Sequence, residues 1–302
     1  MKPSAASLPR SGSPRAWLLA LRPRTLPASI APVLLGWGVA AGEGNAPVHL
    51  MLSCLLVAVS LQAAANLAND YYDARSGVDR SDRLGPVRAT QAGILRARHV
   101  FIGFVICLAL GSLAGLYAAW HSGWMLLLPG AACLLGAIAY TGGPMPLSRI
   151  GLGEAAAFLF FGPVACTGTV IVLTGLPPSS TAWLAGLVPG LHAAALMAVN
   201  NLRDWKQDAR AAKMTLAVRL GERRARLLVL ACLLLGNLST AFAGAAAGQP
   251  LVYIELLLLP LSWPLLRAIM KTPISEELND LLADVGRWLF LTCVVLAALL
   301  YF

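Results

Sequence analysis

The sequence predicts an all-α integral membrane protein with nine transmembrane helices. Of its 302 residues, 58% are hydrophobic and only 12% are charged, and the mean hydropathy is +0.72. A soluble globular domain carries about 25% charged residues. Because backbone polar groups in hydrocarbon must be satisfied within each segment, such apolar segments are expected to be helices rather than the alternating strands of a barrel.

A helix needs about 20 mostly apolar residues to cross a bilayer, and nine stretches meet this condition. They are 26–42, 48–68, 99–119, 123–140, 152–174, 182–202, 226–246, 250–270 and 285–302. The N-terminal stretch 1–15 is rich in Ser, Pro and Arg and is expected to be a flexible cytoplasmic tail. Residues 16–302 are expected to form a single transmembrane domain.

The positions of the 23 Lys and Arg residues test this segmentation, because topology follows basic residues in short loops. The loops near 43–47, 120–124, 175–181 and 247–249 contain none. All basic residues thus lie on one side, which predicts a cytoplasmic N-terminus and an external C-terminus in the cytoplasmic (inner) membrane. The net charge of +9 reflects this topology and contact with the lipid bilayer, not nucleic-acid binding.

Cysteine and histidine give no sign of a metal centre or a disulfide framework. The six cysteines are scattered singly through apolar stretches without a CxxC pair, so we expect them to serve in packing. His192 is the one histidine in the interior of a predicted span, and we expect it to fill a helix interface.

Six of the 14 acidic residues gather in two segments, NLANDYYDARSGVDRSD at 66–82 and NNLRDWKQD at 200–208. Each segment follows a predicted span at its cytoplasmic end. Asn and Asp recur there at four-residue steps, which places them on one face of a continuing helix: Asn66 and Asp70, Asn69 and Asp73, and then Asn200, Asp204 and Asp208. The repeated N-x-x-x-D pattern predicts two related four-helix halves, followed by a final helix, that face each other across a cavity.

Neighbouring carboxylates repel one another unless a cation holds them together, and a divalent metal does this economically. Mg²⁺ takes oxygen ligands and usually bridges one or two carboxylates to substrate phosphates. The two acidic clusters therefore indicate a diphosphate carried on magnesium. Basic side chains that can donate to phosphate oxygens lie beside both motifs; they are Arg75, Arg80, Arg83 and Arg88, and Arg203, Lys206, Lys213 and Arg219.

Five long motifs occur in order along the chain: LRPRTLPASIAPVLLG at 21–36, NLANDYYDARSGVDRSDRLGPVRATQAG at 66–93, YTGGPMPLSRIGLGE at 140–154, FFGPVACTG at 160–168 and NNLRDWKQDARAAKMTLAVRLG at 200–221. In these motifs the chain resembles the UbiA superfamily of membrane prenyltransferases. Within it, the chain is most similar to the 1,4-dihydroxy-2-naphthoate polyprenyltransferases of menaquinone synthesis. The resemblance implies a bundle of nine helices around a central cavity, capped by cytoplasmic loops and open laterally for a lipid tail.

The resemblance also assigns site residues. Its metal pattern falls on Asn69, Asp70, Asp73, Asp79, Asp204 and Asp208. Substrate-binding candidates lie beside these residues or in the other motifs; they are Arg22, Arg24, Asn66, Arg75, Arg83, Arg88, Asn200, Asn201, Arg203, Lys213 and Arg219. The wider superfamily spaces its first motif as N-x-x-x-D-x-x-x-D, whereas Gly77 stands here in the third position and Asp79 follows two residues later. The naphthoate branch shares that departure.

The reaction implied by the resemblance transfers a polyprenyl group from an allylic polyprenyl diphosphate to 1,4-dihydroxy-2-naphthoate, with release of diphosphate and CO2. Arg22 and Arg24 are candidates for binding the carboxylate of this aromatic acid. Tyr140 is a catalytic candidate that would orient the diphosphate or the allylic cation, with interfacial anchoring as the alternative. Glu154, near the start of the fifth predicted span, is a candidate for contacting the site residues without contacting the substrate.

Three alternatives follow from the same residues. A transporter that carries cations on its carboxylates is disfavoured, because the apolar middles of the spans hold almost no ionisable groups. A phosphotransferase acting on nucleotide-activated alcohols would need a different acidic signature. A different aromatic acceptor, such as 4-hydroxybenzoate, homogentisate or a porphyrin, stays open, as does the prenyl length.

Overall fold

The computed structural model describes residues 8–76, 84–143, 145–250 and 258–301, and within these ranges every regular element is helical. Eleven α-helices follow in the order α1 (Pro14–Leu21), α2 (Leu26–Gly42), α3 (Val48–Ser76), α4 (Ala97–Ser122), α5 (Leu127–Ala139), α6 (Gly153–Leu159), α7 (Gly168–Thr174), α8 (Ser180–Arg210), α9 (Leu216–Ala247), α10 (Leu258–Lys271) and α11 (Leu278–Tyr301). The predicted all-α fold is confirmed.

Seven of the described helical segments are long and apolar enough to cross a membrane: Pro14–Gly42, Val48–Arg75, Ala97–Ser122, Gly153–Thr174, Ser180–Arg210, Leu216–Ala247 and Leu278–Tyr301. Two shorter helical segments, Trp124–Ala139 and α10, lie where the fourth and eighth spans were predicted. The chain is a multi-pass membrane protein. The count of nine spans stays a prediction.

Helices α3 and α8 are longer than a bilayer requires. With 29 and 31 residues, they extend about 44 and 46 Å at 1.5 Å per residue, whereas the hydrocarbon core is about 30 Å thick. Their last turns therefore extend beyond the hydrocarbon core, and these turns carry the two Asn/Asp motifs. Continuation of the helix places each polar side chain by helical geometry rather than by a loop.

Part of the expected N-terminal tail is attached to the protein. The Ser13 hydroxyl accepts a hydrogen bond from the backbone N–H of Ala16 and caps α1, with Pro14 at the first helical position. The backbone N–H of Gly12 and the hydroxyl of Ser11 both donate to the carbonyl of Ile94, at 3.1 and 3.0 Å. Residues 1–7 of the expected tail lie outside the described residues.

The packing around α8 depends on small residues. Helix α8 contacts α2, α6, α9, α11 and the wide helical turn Phe160–Thr167. A Cβ atom at Gly162 of that turn would lie 2.4 Å from the carbonyl oxygen of Gly186, and one at Gly38 in α2 would lie 2.5 Å from the carbonyl oxygen of Ala297 in α11. Without these side chains the backbones approach closely, as small residues allow in membrane bundles. This packing fixes α8 and the motif that it carries.

Candidate active site

A cavity of about 720 Å³ lies between the helices. Polar side chains from both predicted motifs line it together; these are Asn66, Asn69, Asp73 and Arg88 from the first region and Asn200, Asn201, Asp204, Asp208 and Lys213 from the second. Arg22 and Tyr140 also line it. The structure thus brings the two acidic motifs, which are separated by more than 100 positions in the sequence, to one site.

Each carboxylate of the cavity is near a basic side chain. Asp73 forms an ion pair of 2.7 Å with Nη2 of Arg88, which lies in the loop between α3 and α4. Asp208 lies 3.4 Å from Nζ of Lys213. Both carboxylates are largely buried, so these pairs are screened less than exposed pairs would be.

Arg203 holds the third carboxylate of the cavity. Its Nε and Nη2 donate to the two oxygens of Asp204, at 2.9 and 2.6 Å, in a bidentate pair. Nη2 also donates to Oδ1 of Asn200 at 2.9 Å, and Nη1 donates to Oδ1 of Asn279 at 2.8 Å. Arg203 itself does not line the cavity but fixes two side chains that do.

Asp70 has a different environment from the other motif carboxylates. It is 2% exposed, and its two oxygens accept hydrogen bonds from the backbone N–H groups of Ala89 and Thr90, at 3.0 and 3.1 Å. It does not line the cavity. Its expected role as a metal ligand stays a prediction, and its contacts in the structure instead fix the loop that carries Arg88.

The asparagines of α3 also form hydrogen bonds with neighbouring segments. Asn66 Nδ2 donates to the carbonyl of Leu21 at 2.9 Å and to the Thr25 hydroxyl at 3.0 Å, which ties α3 to the segment between α1 and α2. The hydroxyl of Thr141 donates to Oδ1 of Asn69. Tyr140 and Met197 also line the cavity, and the hydroxyl of Tyr140 donates to Sδ of Met197 at 3.0 Å.

Three other predicted binding residues lie elsewhere. Arg24, Arg75 and Arg219 are exposed and do not line the cavity. Arg75 donates to the Tyr71 hydroxyl at 2.7 Å, and Arg219 donates to the backbone carbonyl of Ile150 at 2.9 Å. Asp79 and Arg83, a predicted metal ligand and a predicted substrate ligand, lie outside the described residues.

The sequence analysis missed several polar residues of the site. Gln62, Ser148 and Gln207 line the cavity, and Asn279 joins its two halves from α11. Gln207 and Ser148 lie within quoted motifs, and Gln62 stands one turn before Asn66 on the same face of an otherwise apolar span, so each had a signal in the sequence. Asn279 has no such pattern around it.

Beyond its polar end, the cavity is apolar. Small residues of α4 and α5, among them Gly111, Gly115 and Gly130, line it together with Leu116, Leu126 and Val172. The cavity therefore offers charged and amide groups at one end and hydrocarbon-like walls over the rest. Such a shape is suited to a ligand with an anionic head and an apolar chain.

The donor set fits magnesium better than a softer metal. The motif side chains at the polar end offer carboxylate and amide oxygens, the ligands that Mg²⁺ prefers, and no imidazole lines the cavity among the described residues. Within those residues, no three His, Cys, Asp or Glu side chains are arranged to hold a metal ion by themselves. Mg²⁺ commonly binds through one or two carboxylates together with substrate phosphates, so a closed protein cage is not required.

The fold and the cavity together define a multi-pass membrane protein with a site suited to a ligand that has an anionic head and an apolar chain. The chain belongs to the UbiA prenyltransferase family, whose sequence profile matches residues 29–278. This confirms the resemblance that the motifs indicated.

Relatives of the chain share most of its length. It is 38% identical, over 95% of its own residues and 97% of the relative's, to a 1,4-dihydroxy-2-naphthoate octaprenyltransferase of Mycobacterium tuberculosis. It is 37% identical, over 74% of each chain, to the Escherichia coli protein of the same name. Among solved structures it is similar to a UbiA homolog from Archaeoglobus fulgidus bound to GPP and Mg²⁺, with a TM-score of 0.69, 15% identity and coverage of 95% and 99% of the two chains.

Proposed function

We propose that the protein transfers a polyprenyl group from a polyprenyl diphosphate to 1,4-dihydroxy-2-naphthoate, a step of menaquinone synthesis. The observation that carries the proposal is the single cavity in which Asp73, Asp204 and Asp208 lie beside Arg88 and Lys213. The names of the two curated relatives support the aromatic acceptor. The apolar remainder of the cavity supports a prenyl donor.

The diphosphate is proposed to bind at the polar end, with its oxygens accepting hydrogen bonds from Arg88 and Lys213. When bound by Asp73, Asp204, Asp208 and Asn69, together with Asp79 as the sequence predicts, magnesium supplies positive charge that stabilises the departing diphosphate. The ion pairs of Asp73 and Asp208 hold these carboxylates in place at the cavity wall.

The chain's own residues then control the carbon chemistry. Cleavage of the allylic C–O bond leaves a cation, and the apolar walls around it exclude water that would otherwise trap it. Tyr140 lines the cavity, and its ring is proposed to face this cation, since aromatic faces attract positive charge. Arg22, which also lines the cavity, is proposed to bind the carboxylate of the acceptor.

The acceptor reacts at the ring carbon that bears its carboxylate. A C–C bond forms there as the adjacent hydroxyl loses its proton, which gives a non-aromatic keto acid. The C–CO2 bond then breaks, its electron pair restores the aromatic ring, and the oxygen regains a proton. Diphosphate and CO2 are released, and no separate decarboxylase is needed.

The test uses purified protein in detergent with Mg²⁺, a polyprenyl diphosphate and 1,4-dihydroxy-2-naphthoate labelled in its carboxyl carbon. We expect labelled CO2 to appear in step with prenylated product. Retention of the label in the product, or a higher kcat/KM for 4-hydroxybenzoate, would refute the naphthoate assignment while leaving the family unchanged.

A further inference from the structure

Glu154 is a buried carboxylate that the proposed reaction does not use. It lies in the first turn of α6, outside both acidic motifs, and is 5% exposed. Its Oε1 accepts a hydrogen bond of 2.9 Å from Nδ2 of Asn201, which is itself 5% exposed and lines the cavity. Glu154 therefore contacts the site through one amide.

An amide side chain presents two chemically different ends, an NH2 donor and a carbonyl acceptor. In the structure Oε1 of Glu154 accepts, so it engages the NH2 end of the Asn201 amide. Among the described residues, the Asn201 side chain makes no second hydrogen bond. Its Oδ1 is therefore the atom that Asn201 presents to the cavity.

The position of Asn201 suggests which ligand this oxygen meets. It precedes Asp208 by two helical turns on α8, so it lies deeper in the bundle than the proposed diphosphate site. Tyr140 is a close neighbour: a Cβ atom at Gly153 would lie 3.5 Å from the Tyr140 hydroxyl and 3.6 Å from Nδ2 of Asn201. That depth corresponds to the carbon chain next to the diphosphate, where the acceptor ring must lie.

We propose that Glu154 is a positioning residue that holds the Asn201 amide so that Oδ1 accepts a hydrogen bond from a hydroxyl of the aromatic acceptor. The inference rests on the proposed function and adds a residue pair for acceptor recognition. A hydrogen bond to a phenolic hydroxyl through its proton increases the electron density of the ring, which favours attack on the allylic cation. The carboxylate itself does not touch the substrate.

The substitution Glu154→Gln tests the inference with almost no change in volume. Glutamine can present either its oxygen or its NH2 group, so the orientation of Asn201 is no longer selected. We expect kcat/KM for the acceptor to fall about tenfold. The KM for the polyprenyl diphosphate should stay within twofold of wild type. Glu43→Gln is the matched control, because Glu43 accepts a hydrogen bond from Ser179 in an exposed position away from the cavity.

A reciprocal exchange separates orientation from structural support. In E154Q/N201D, the NH2 group of the introduced glutamine can donate to the introduced aspartate, which again turns an oxygen towards the cavity. We expect this double variant to recover most of the acceptor kcat/KM that E154Q and N201D each lose. If E154Q does not fold, the double variant is measured alone against wild type, with thermal unfolding as the measure of folding.

Two results would overturn the inference: wild-type acceptor kinetics in E154Q, or a folded double variant with no recovery over N201D. The first result would show that the Glu154 carboxylate does not determine the orientation of the Asn201 amide. The second would show that the acceptor does not bind to the oxygen that the double variant restores. Failure of the proposed function is distinct, because wild-type protein would then release no prenylated naphthoate at all.

Discussion

The carboxylates of the two motifs differ in their surroundings. Asp73 and Asp208 line the cavity beside basic side chains, whereas Asp70 is buried against the backbone of the following loop. Helical geometry explains the difference. With about 100° between successive residues, Asn66, Asn69 and Asp73 share a face of α3, and Asp70 lies at its margin. The four-residue spacing of Asn66 and Asp70 is real, but it does not bring Asp70 to the cavity.

This contrast predicts two kinds of variant. Asp73→Asn and Asp208→Asn each remove an anionic group from the cavity and should lower turnover at least a hundredfold in protein that is still folded at the assay temperature. Asp70→Asn should instead destabilise the protein by about 2 kcal/mol, because hydrogen bonds to a charged group contribute roughly 1.5–3 kcal/mol. Thermal unfolding in detergent and steady-state kinetics measure both effects.

Asp284→Asn serves as the control, since Asp284 is about half exposed and pairs with Arg287 on the surface. The assignment fails if Asp73→Asn and Asp208→Asn retain near wild-type turnover at low Mg²⁺. A stable Asp70→Asn variant with a raised Mg²⁺ requirement would instead make Asp70 a direct ligand, as the sequence predicted.

At the scale of elements, the sequence predicted helices better than the contacts between them. Apolar periodicity and span length depend on neighbouring residues, so the positions of α3, α4, α8 and α9 are close to those predicted. The wide turn Phe160–Thr167 within a predicted span has no comparable signal beyond Pro163. The expected relation between two four-helix halves stays a prediction.

Asn279 illustrates a contact that no local pattern predicts. Its Oδ1 accepts from Arg203, and its Nδ2 donates to the carbonyl of Leu84 at 3.0 Å, 195 positions away in the chain. One side chain at the start of α11 thus connects α8 to the loop that carries Arg88. Only the folded arrangement of three segments reveals it.

We predict that Asn279→Asp raises the KM for the polyprenyl diphosphate about fivefold. Aspartate still accepts from Arg203 but cannot donate to the carbonyls of Leu84 and Glu276. The loop with Arg88 therefore loses one attachment while the Arg203 pair is kept. One lost hydrogen bond costs about 1 kcal/mol, which corresponds to that change in KM. Asn45→Asp, at an exposed loop on the opposite side, is the control. An unchanged KM in Asn279→Asp would show that the loop is held without this contact.

At the scale of the whole molecule, the site and the charge pattern predict one orientation in the membrane. The loop after α3 and the end of α8, each of which carries basic residues beside its acidic motif, lie at the same end of the bundle, since Asn279 contacts both. The positive-inside rule then predicts that the cavity opens to the cytoplasm.

Two exposed alanines at opposite ends of the bundle provide a direct test of this orientation. In a background without the six native cysteines, Ala209→Cys lies at the end of α8 near the cavity, and Ala247→Cys lies at the far end of α9. A membrane-impermeant maleimide should label residue 247 in right-side-out cells and residue 209 only in inside-out vesicles. Both positions are exposed and carry alanine in the native chain. A difference in maleimide labelling between the two cysteines therefore reports the side of the membrane rather than burial. Labelling of residue 209 from outside intact cells would place the diphosphate site on the wrong side for a cytoplasmic substrate and would overturn the proposed topology.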